Sequence, residues 1–370
     1  MIEGLSFYDL YYDDKENIYF FAHEINGLFR LNMITHKTTF LLSVIEYPLN
    51  QEDLYSSIIH IHNKLVFAPQ LANDILVYDI EENSYVLYPL IIHKNIENQP
   101  KFFSACVYEN KAYLFPSHYP GIVELDLRDY SIVYHDSWIT EVPNITDYIR
   151  WSVSRVGEKI YAPLVDECKV MIFDINSKCV TIKAFDMVCD LNNGFSGICR
   201  EDNYFWLSPM KSGTVIRWNY VTEEVEKYEI KNRNRQGNYS YVNCLKWKDW
   251  ILICPANDNE FVVINFKTGN VQEFSHETIG VSNDNKINIQ SLIFLIKNIS
   301  EDVVFLCSRD GKYRTIQEKN GEIFFSTQQF DFCNCLSDWV KQDLRLKYPI
   351  VESEYLSVCH LIKALQRPFV

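Results

Sequence analysis

The sequence predicts an all-β chain in which a unit of four short antiparallel strands repeats seven times, and two independent registers of residues predict it. In the first, a short apolar strand ends on Asn or Asp and turns: Leu31-Asn32-Met33, Tyr78-Asp79-Ile80, Leu125-Asp126-Leu127, Phe173-Asp174-Ile175, Trp218-Asn219-Tyr220, Ile264-Asn265-Phe266 and the degenerate Ile316-Gln317-Glu318, at spacings of 47, 47, 48, 45, 46 and 52 residues. In the second, the residue closing the second strand of each unit is His23, Pro69, Pro116, Pro163, Pro209, Pro255 and Ser308, at steps of 46, 47, 47, 46, 46 and 53. Periods of about 40 to 50 residues holding several short strands close into a ring, whereas two-helix repeats of that length carry a 3.6-residue apolar rhythm.

Each unit reads as strand A, tight turn, strand B, loop, strand C, tight turn, strand D and a longer connection, the layout of a seven-bladed β-propeller of four-stranded antiparallel blades. Unit 2 is the clearest, with strands expected at 57–62, 64–68, 74–79 and 84–87. The A and B strands of the others are expected at 6–11 and 18–22, 104–109 and 111–115, 152–156 and 159–162, 196–201 and 203–208, 241–247 and 250–254, and 291–296 and 302–307. Val, Ile, Tyr and Phe dominate these segments, as strands packed on both faces require. Asn63-Lys64, Asn110-Lys111, Glu158-Lys159 and Asp202-Asn203 suit short A-to-B hairpins, because Asn and Asp tolerate left-handed backbone. The Asn or Asp ending strand C suits the first position of a type I turn, its side chain accepting a bond from an N–H two residues on. Pro closes strand B in five units because it has no N–H with which to continue a ladder; His23 and Ser308 break that series.

The blades are expected at about 6–50, 51–99, 100–145, 146–193, 194–238, 239–286 and 287–330, all within one domain over 1–330. Each owns its four strands, so closure is expected from packing or from the tail and not from an exchanged strand. After blade 7, Leu336, Trp339, Val340 and Leu344 recur at helical spacing. Tyr355, Val358, Cys359, Ile362 and Leu365 do so again after Ser353, a suitable N-cap. These predict a C-terminal helical extension over 331–370, packed on the ring across the seam between blades 7 and 1.

The repeat resembles the β-propeller superfamily over residues 6 to about 326, and is most similar to kelch-like and WD-like rings of seven blades. The likeness is architectural. Kelch units carry a Gly-Gly doublet after strand B, where this chain has Pro69-Gln70, Pro116-Ser117 and Pro163-Leu164. The Trp-Asp ending of WD units is matched in order of aromatic and polar residue by Tyr78-Asp79, Phe173-Asp174 and Trp218-Asn219, without a Gly-His partner. No functional residues carry over with the resemblance.

Composition narrows the partners. With 47% hydrophobic and 15% aromatic residues the chain has ample material for a packed interior. A formal net charge of −14 repels nucleic acid and anionic membrane, so neither is expected as a partner. The first residues carry no signal-like apolar run and no segment reaches 18 consecutive apolar residues, so a cytoplasmic location is expected. Eleven cysteines is an odd number and several fall inside strands, where a reduced Cys acts as a small hydrophobe; a disulfide framework is not expected.

In a ring of this class the B-to-C loops and the D-to-A connections share one face, around the mouth of the central channel. The B-to-C loops carry His23, Glu24, Gln70, Asn73, His118, Tyr119, Asp166, Glu167, Lys211 and Arg309. The connections carry Arg150 and Trp151 at the entry to blade 4, and Lys231, Arg233, Arg235 and Tyr239 at the entry to blade 6. A guanidinium beside aromatic faces grips carboxylates, phosphates and sugar rings, so Tyr119, Arg150, Trp151, Arg233 and Tyr239 are the candidate partner- or ligand-binding residues. Ser6, Ser57, Ser104, Ser152, Ser196 and Ser291, with Ser240 or Asn243 in unit 6, start strand A. With strand A innermost they ring the channel mouth, as small residues in a crowded centre or as a polar ring for a small ligand.

His23, His118, Asp166 and Glu167 are the candidate metal ligands, and His23, His118 and Arg309 the candidate catalytic residues, with Arg200 a further anion holder. No HExxH, paired CxxC, EF-hand, GxSxG, P-loop or GxGxxG motif is present, and no cofactor is expected. The sequence therefore favours a non-catalytic binding or scaffold propeller presenting its loop face to a protein or peptide partner, with a small anionic ligand as a further possibility. The alternative is a propeller enzyme, a lyase or hydrolase with or without a metal, acting on a small polar or anionic metabolite at the channel mouth.

Overall fold

The computed structural model describes residues 5–92, 96–137, 139, 148–149, 151–185, 194–211, 213–230, 240–256, 260–275, 278–280, 293–308, 312–319, 321–329, 335 and 338–339. Their strands form seven antiparallel four-stranded sheets, each built from four consecutive strands in chain order. Blade 1 is β1 to β4 (Tyr11–Tyr12, Asn17–Phe21, Leu28–Asn32, Thr38–Leu42) and blade 2 is β5 to β8 (Tyr55–Ile61, Lys64–Pro69, Asp74–Asp79, Ser84–Pro89). Blade 3 is β9 to β12 (Phe102–Tyr108, Lys111–Pro116, Ile122–Asp126, Ile132–His135) and blade 4 is β13 to β16 (Ser154–Val156, Lys159–Pro163, Lys169–Asp174, Val180–Ala184). Blade 5 is β17 to β20 (Phe195–Glu201, Tyr204–Pro209, Thr214–Asn219, Val225–Glu229) and blade 6 is β21 to β24 (Tyr241–Trp247, Trp250–Pro255, Phe261–Asn265, Val271–Phe274). Blade 7 is β25 to β28 (Ile293–Asn298, Val304–Ser308, Lys312–Lys319, Glu322–Gln329). The protein is a seven-bladed β-propeller.

Strand alternation builds the ring. In β6, Leu65 and Phe67 enter the core between blades 1 and 2, while Val66 and Ala68 enter the core between blades 2 and 3. The same division holds in β10, where Ala112 and Leu114 face blade 2 and Tyr113 and Phe115 face blade 4, and in β22, where Ile251 and Ile253 face blade 5 and Leu252 and Cys254 face blade 7. A period of two on a strand buried on both faces means that each sheet supplies half of two cores.

The turns follow side-chain chemistry. Asn32, Asp79, Asp126, Asp174, Asn219 and Asn265 each end a C strand, and the Oδ1 of each accepts the N–H two residues on, at 3.0 to 3.1 Å. Four residues after each of them the backbone is left-handed, at His36, Asn83, Tyr130, Lys178, Glu223 and Gly269. Five of these six are not glycine, at a cost of roughly 1–2 kcal/mol each, which is how a chain with 12 glycines makes so many turns. The A-to-B turns differ from expectation. Three of the four expected turns are left-handed one position earlier, at His62, Glu109 and Gly157; the fourth is left-handed at Asp202 itself, and blade 6 adds Lys248. The seventh C-strand motif is no turn at all, because β27 runs through Gln317 and turns only after Lys319.

Pro ends strand B in five blades, at Pro69, Pro116, Pro163, Pro209 and Pro255. In blade 1, β2 stops at Phe21, and His23 donates its N–H to Ser6 O as Gln70 does to Leu54 O and Ser117 to Lys101 O. His23 thus occupies the position after the rim residue. In five blades the A-to-B ladder slips opposite that rim. A bulge there bends the incoming strand toward the axis.

Between blades 3 and 4 sits a buried carboxylate, Glu124, which accepts from Lys111, from Lys178 Nζ at 2.7 Å and from His135 Nε2 at 3.0 Å. Burial alone pushes its carboxyl up, but the bonds from Lys111, Lys178 and His135 outweigh burial and hold it at about 2.

Among the described residues, closure uses no exchanged strand. Strand A of blade 1, expected over 6–11, is only Tyr11–Tyr12; the residues before it go into the seam. Leu5, Phe7 and Leu10 pack with Ile18, Phe20 and Phe29 of blade 1, with Leu295, Phe305, Cys307 and Tyr313 of blade 7, and with Cys335 and Trp339. Phe7 stacks on Phe20 at 4.2 Å and on Phe305 at 6.0 Å between centroids. Lys297 Nζ donates to Asp9 Oδ1 at 2.5 Å and to Leu10 O at 2.6 Å, and Trp339 Nε1 donates to Asn26 O at 3.1 Å. The rest of the expected helical extension, 331–334, 336–337 and 340–370, lies outside the described residues.

Two outcomes follow. Because the Glu124 pKa is lowered on folding, its contribution is complete above the unfolded value near 4.3 and is lost as pH falls toward about 2; it amounts to roughly 3 kcal/mol. Glu124→Gln lowers stability at neutral pH and flattens the loss between about pH 4.3 and 2, as read by urea denaturation across pH. Trp339→Ala empties the seam and costs about 3–5 kcal/mol in the same assay.

Candidate functional site

The first strands of all seven blades meet at the axis and enclose a cavity of about 260 Å³. Its wall takes Tyr8 and Asp9 from blade 1, Ser57 from blade 2, Phe103 to Ala105 from blade 3 and Trp151 to Val153 from blade 4. Ile198 and Cys199 follow from blade 5, Asn243 to Leu245 from blade 6 and Leu295 to Lys297 from blade 7. Ser57, Ser104, Asn243 and Leu295 stand at or just past the ladder slips, so the bulges set what faces the axis.

An innermost strand has a free edge whose N–H and C=O groups need partners. Neighbouring blades supply them. Asp9 Oδ2 accepts the Ile58 N–H at 2.8 Å, Ser56 Oγ donates to Phe102 O at 2.6 Å, and Ser152 Oγ accepts the Ile198 N–H at 2.8 Å. Lys297 caps Leu10 O, and Asn298 Nδ2 caps Lys246 O at 3.1 Å. The serines at the start of strand A are drawn into this work or into local bonds. Ser57 Oγ donates to Asp9 at 3.2 Å, Ser6 Oγ to Glu24 at 2.5 Å, and Ser196 Oγ shares a bond with Ser208 Oγ at 2.9 Å. Ser291 lies outside the described residues.

Three aromatic rings, from blades 1, 3 and 4, meet at the cavity. Tyr8 meets Phe103 edge-on at 5.6 Å, and Phe103 lies along Trp151 at 6.5 Å with 30° between planes. Beside them is one ion pair. The Asp9 carboxylate takes Leu10 N–H and Lys297 on one oxygen and Ser57 Oγ and Ile58 N–H on the other, which fills its four acceptor positions. Burial, with a hydrogen bond to Cys244, pushes the Cys199 thiol well above its ordinary value and keeps it protonated at neutral pH.

The residues singled out from sequence are placed separately. His23 pairs its Nδ1 with Asp53 and sets its ring edge-on to Tyr8 at 5.1 Å. His118 Nδ1 is 3.1 Å from Pro100 O and 3.1 Å from Ser117 Oγ. Glu167 pairs with Lys169, and Asp166 is partly buried beside it. None of these four lines the cavity, and among the described residues no group of three His, Cys, Asp or Glu is arranged to hold a metal. Tyr119 is a correction: it is 2% exposed in the core between blades 2 and 3, with its hydroxyl on Ile91 O at 2.8 Å, so packing has consumed it as a surface anchor. Arg200 lies near the A-to-B turn of blade 5, at the far end of β17, and donates to Asp202 O at 2.8 Å. Trp151 does line the cavity. Arg150, Arg233, Tyr239 and Arg309 lie outside the described residues.

Sequence reasoning names Asn243 in the channel-mouth ring but misses Tyr8, Asp9, Phe103 and Lys297. The signal is the register itself, since all four sit on or beside strand A, the strand that the Ser series marks. Also missed was Lys101, fully buried at the entry to blade 3, where burial pushes its ammonium down to about 8. Its Nζ donates to Leu71 O and Glu97 O, both at 3.2 Å.

No protein-family model matches the chain, and no curated protein matches it in sequence. Solved structures do match in fold. A catalytically inactive virginiamycin B lyase from Staphylococcus aureus, solved with quinupristin, superposes with a TM-score of 0.66 at 11% identity, over 86% of this chain and 96% of that one. The RRP9 WD40 repeats give 0.58 at 10% identity, over 82% and 87%, and a chain of the mitotic checkpoint complex gives 0.57 at 10%, over 88% and 87%. At such identities the likeness shows the β-propeller fold alone.

Close approach at the axis is testable at Gly197. A Cβ there would stand 2.4 Å from Asn243 Oδ1 and 2.9 Å from Asn243 Cα. Gly197→Ala therefore forces blades 5 and 6 apart and costs about 1–3 kcal/mol, read by chemical denaturation against wild type.

Proposed function

We propose that this chain is a non-catalytic binding propeller that holds a protein or peptide partner on the face where the strand A entries meet, with Tyr8, Phe103 and Trp151 as the apolar anchor. One observation carries the reading: among the described residues no candidate general base reaches the cavity with spare capacity. His23 and His118 do not line it, and Asp9, which does, has its acceptor positions filled. A general base needs reach and spare capacity toward a substrate proton. An aromatic arc on a rigid ring suits an anchoring pocket, where large apolar side chains carry most of the affinity. That WD40 repeats and a chain of the mitotic checkpoint complex share the fold agrees with partner binding. Arg150, Arg233 and Tyr239 belong to the same proposal as flanking contacts.

The test compares proteins retained from the native cell extract by immobilised wild type and by a Phe103→Ala/Trp151→Ala variant of matched thermal stability. At least one partner enriched tenfold by wild type and lost by the variant is expected. Equal retention would overturn the reading. So would turnover of a polar metabolite that His23→Ala abolishes, which would put the lyase or hydrolase alternative in its place.

A further inference from the structure

Two of the cavity's polar side chains, Lys297 and Asn243, keep donors beyond the bonds they make. Asp9 has accepted four bonds, and Asn243 Oδ1 takes the Cys244 N–H at 2.8 Å. Ser152 Oγ is engaged in both directions with Ile198. On the donor side, Lys297 has three N–H groups and places two, on Asp9 and Leu10 O. The Asn243 Nδ2 amide has no acceptor among the described residues. Both side chains line the cavity, on adjacent blades 6 and 7. Lys297 and Asp9 balance each other's charge, and the third N–H of Lys297, with Asn243 Nδ2, is the donor capacity left beside the cavity. Phe103 and Trp151 give the wall flat faces, with Ala105, Val153, Leu245 and Leu295 around them and Tyr8, Ser57 and Ser104 interspersed.

We propose that this cavity binds an aromatic ring carrying a carboxylate, with the ring against Phe103 and Trp151 and the carboxylate on Lys297 and Asn243. A volume of about 260 Å³ admits one such group. Charge-assisted bonds from a lysine to a carboxylate are stronger than those to a neutral carbonyl, so a free acid is preferred over its amide. The inference deepens the binding reading and rests on it for its direction. Two sources share this chemistry: the C-terminal aromatic residue of a partner chain, and a free small aromatic acid.

Isothermal titration calorimetry with N-acetyl-phenylalanine, its primary amide, phenylacetate and a tripeptide Ala-Ala-Phe with a free C-terminus tests it. Wild type binds N-acetyl-phenylalanine at least tenfold more tightly than the amide. Lys297→Met removes that preference, Lys297→Arg keeps it, and Trp151→Leu weakens acid and amide alike by tenfold or more. Tighter binding of the tripeptide than of phenylacetate assigns the site to a chain terminus, and the reverse assigns it to a small acid. Lys297 also braces the seam, so should Lys297→Met fail to fold, the acid-over-amide preference of wild type and of Lys297→Arg decides. Equal affinity for acid and amide, or no heat with any of the four at millimolar concentration, overturns the proposal. A wild type that retains a protein partner through Phe103 and Trp151 yet shows no acid preference refutes this inference alone and leaves the binding reading in place.

Discussion

Each blade is a sheet that is apolar on both faces, and no blade can bury both by itself. In β2, Ile18 and Phe20 serve the core toward blade 7 while Tyr19 and Phe21 serve the core toward blade 2; in β26, Val304 and Leu306 face blade 6 while Phe305 and Cys307 face blade 1. A stack of such sheets has an exposed face at each end until it curves round on itself. Seven cores between seven blades leave no uncovered face, and the channel, the bulged strand entries and the packed seam are the geometry that this closure requires. The polar groups that enter these cores come with partners, as Glu124 shows with two lysines and a histidine drawn from both of its blades.

What was legible in the sequence was whatever is decided within a few residues. The Asn and Asp motifs could be read as turns because donor and acceptor lie two residues apart, and Pro at the rim because its missing N–H acts on its own strand. What depends on a neighbouring blade was not legible. Strand A of blade 1 was assigned from a local apolar pattern, but Leu5, Phe7 and Leu10 spend that pattern on a seam whose other half lies nearly 300 residues away. Tyr119 was read as a loop residue and is drawn into the core between blades 2 and 3, because the loop is short and the ring is large enough to bury it. His23 was aligned with the prolines by spacing, and the backbone bonds put it one position later.

The candidate site was the least legible part for the same reason. Tyr8, Phe103 and Trp151 come from blades 1, 3 and 4, and no spacing rule connects rings that meet only across an axis. Their exposure to the cavity follows from the capping of the strand edges: once Asp9, Ser56, Ser152 and Lys297 have satisfied the backbone groups beside them, little polar capacity remains at the centre. A cavity formed in this way sets aromatic faces beside the few donors left over.

The seam has a consequence for the order in which the ring assembles. Every ladder joins strands that are consecutive in the chain, so each blade closes only short loops as it forms, at small cost in chain entropy. The contacts that span the chain, Lys297 to Asp9 and Trp339 to Asn26, are made by side chains, not by a ladder. Blades can therefore form one after another, with the annulus shut last and no sheet waiting for a distant strand. The break could equally be moved to any other connection between blades: a circularly permuted chain would keep all seven sheets whole and exchange one side-chain seam for another.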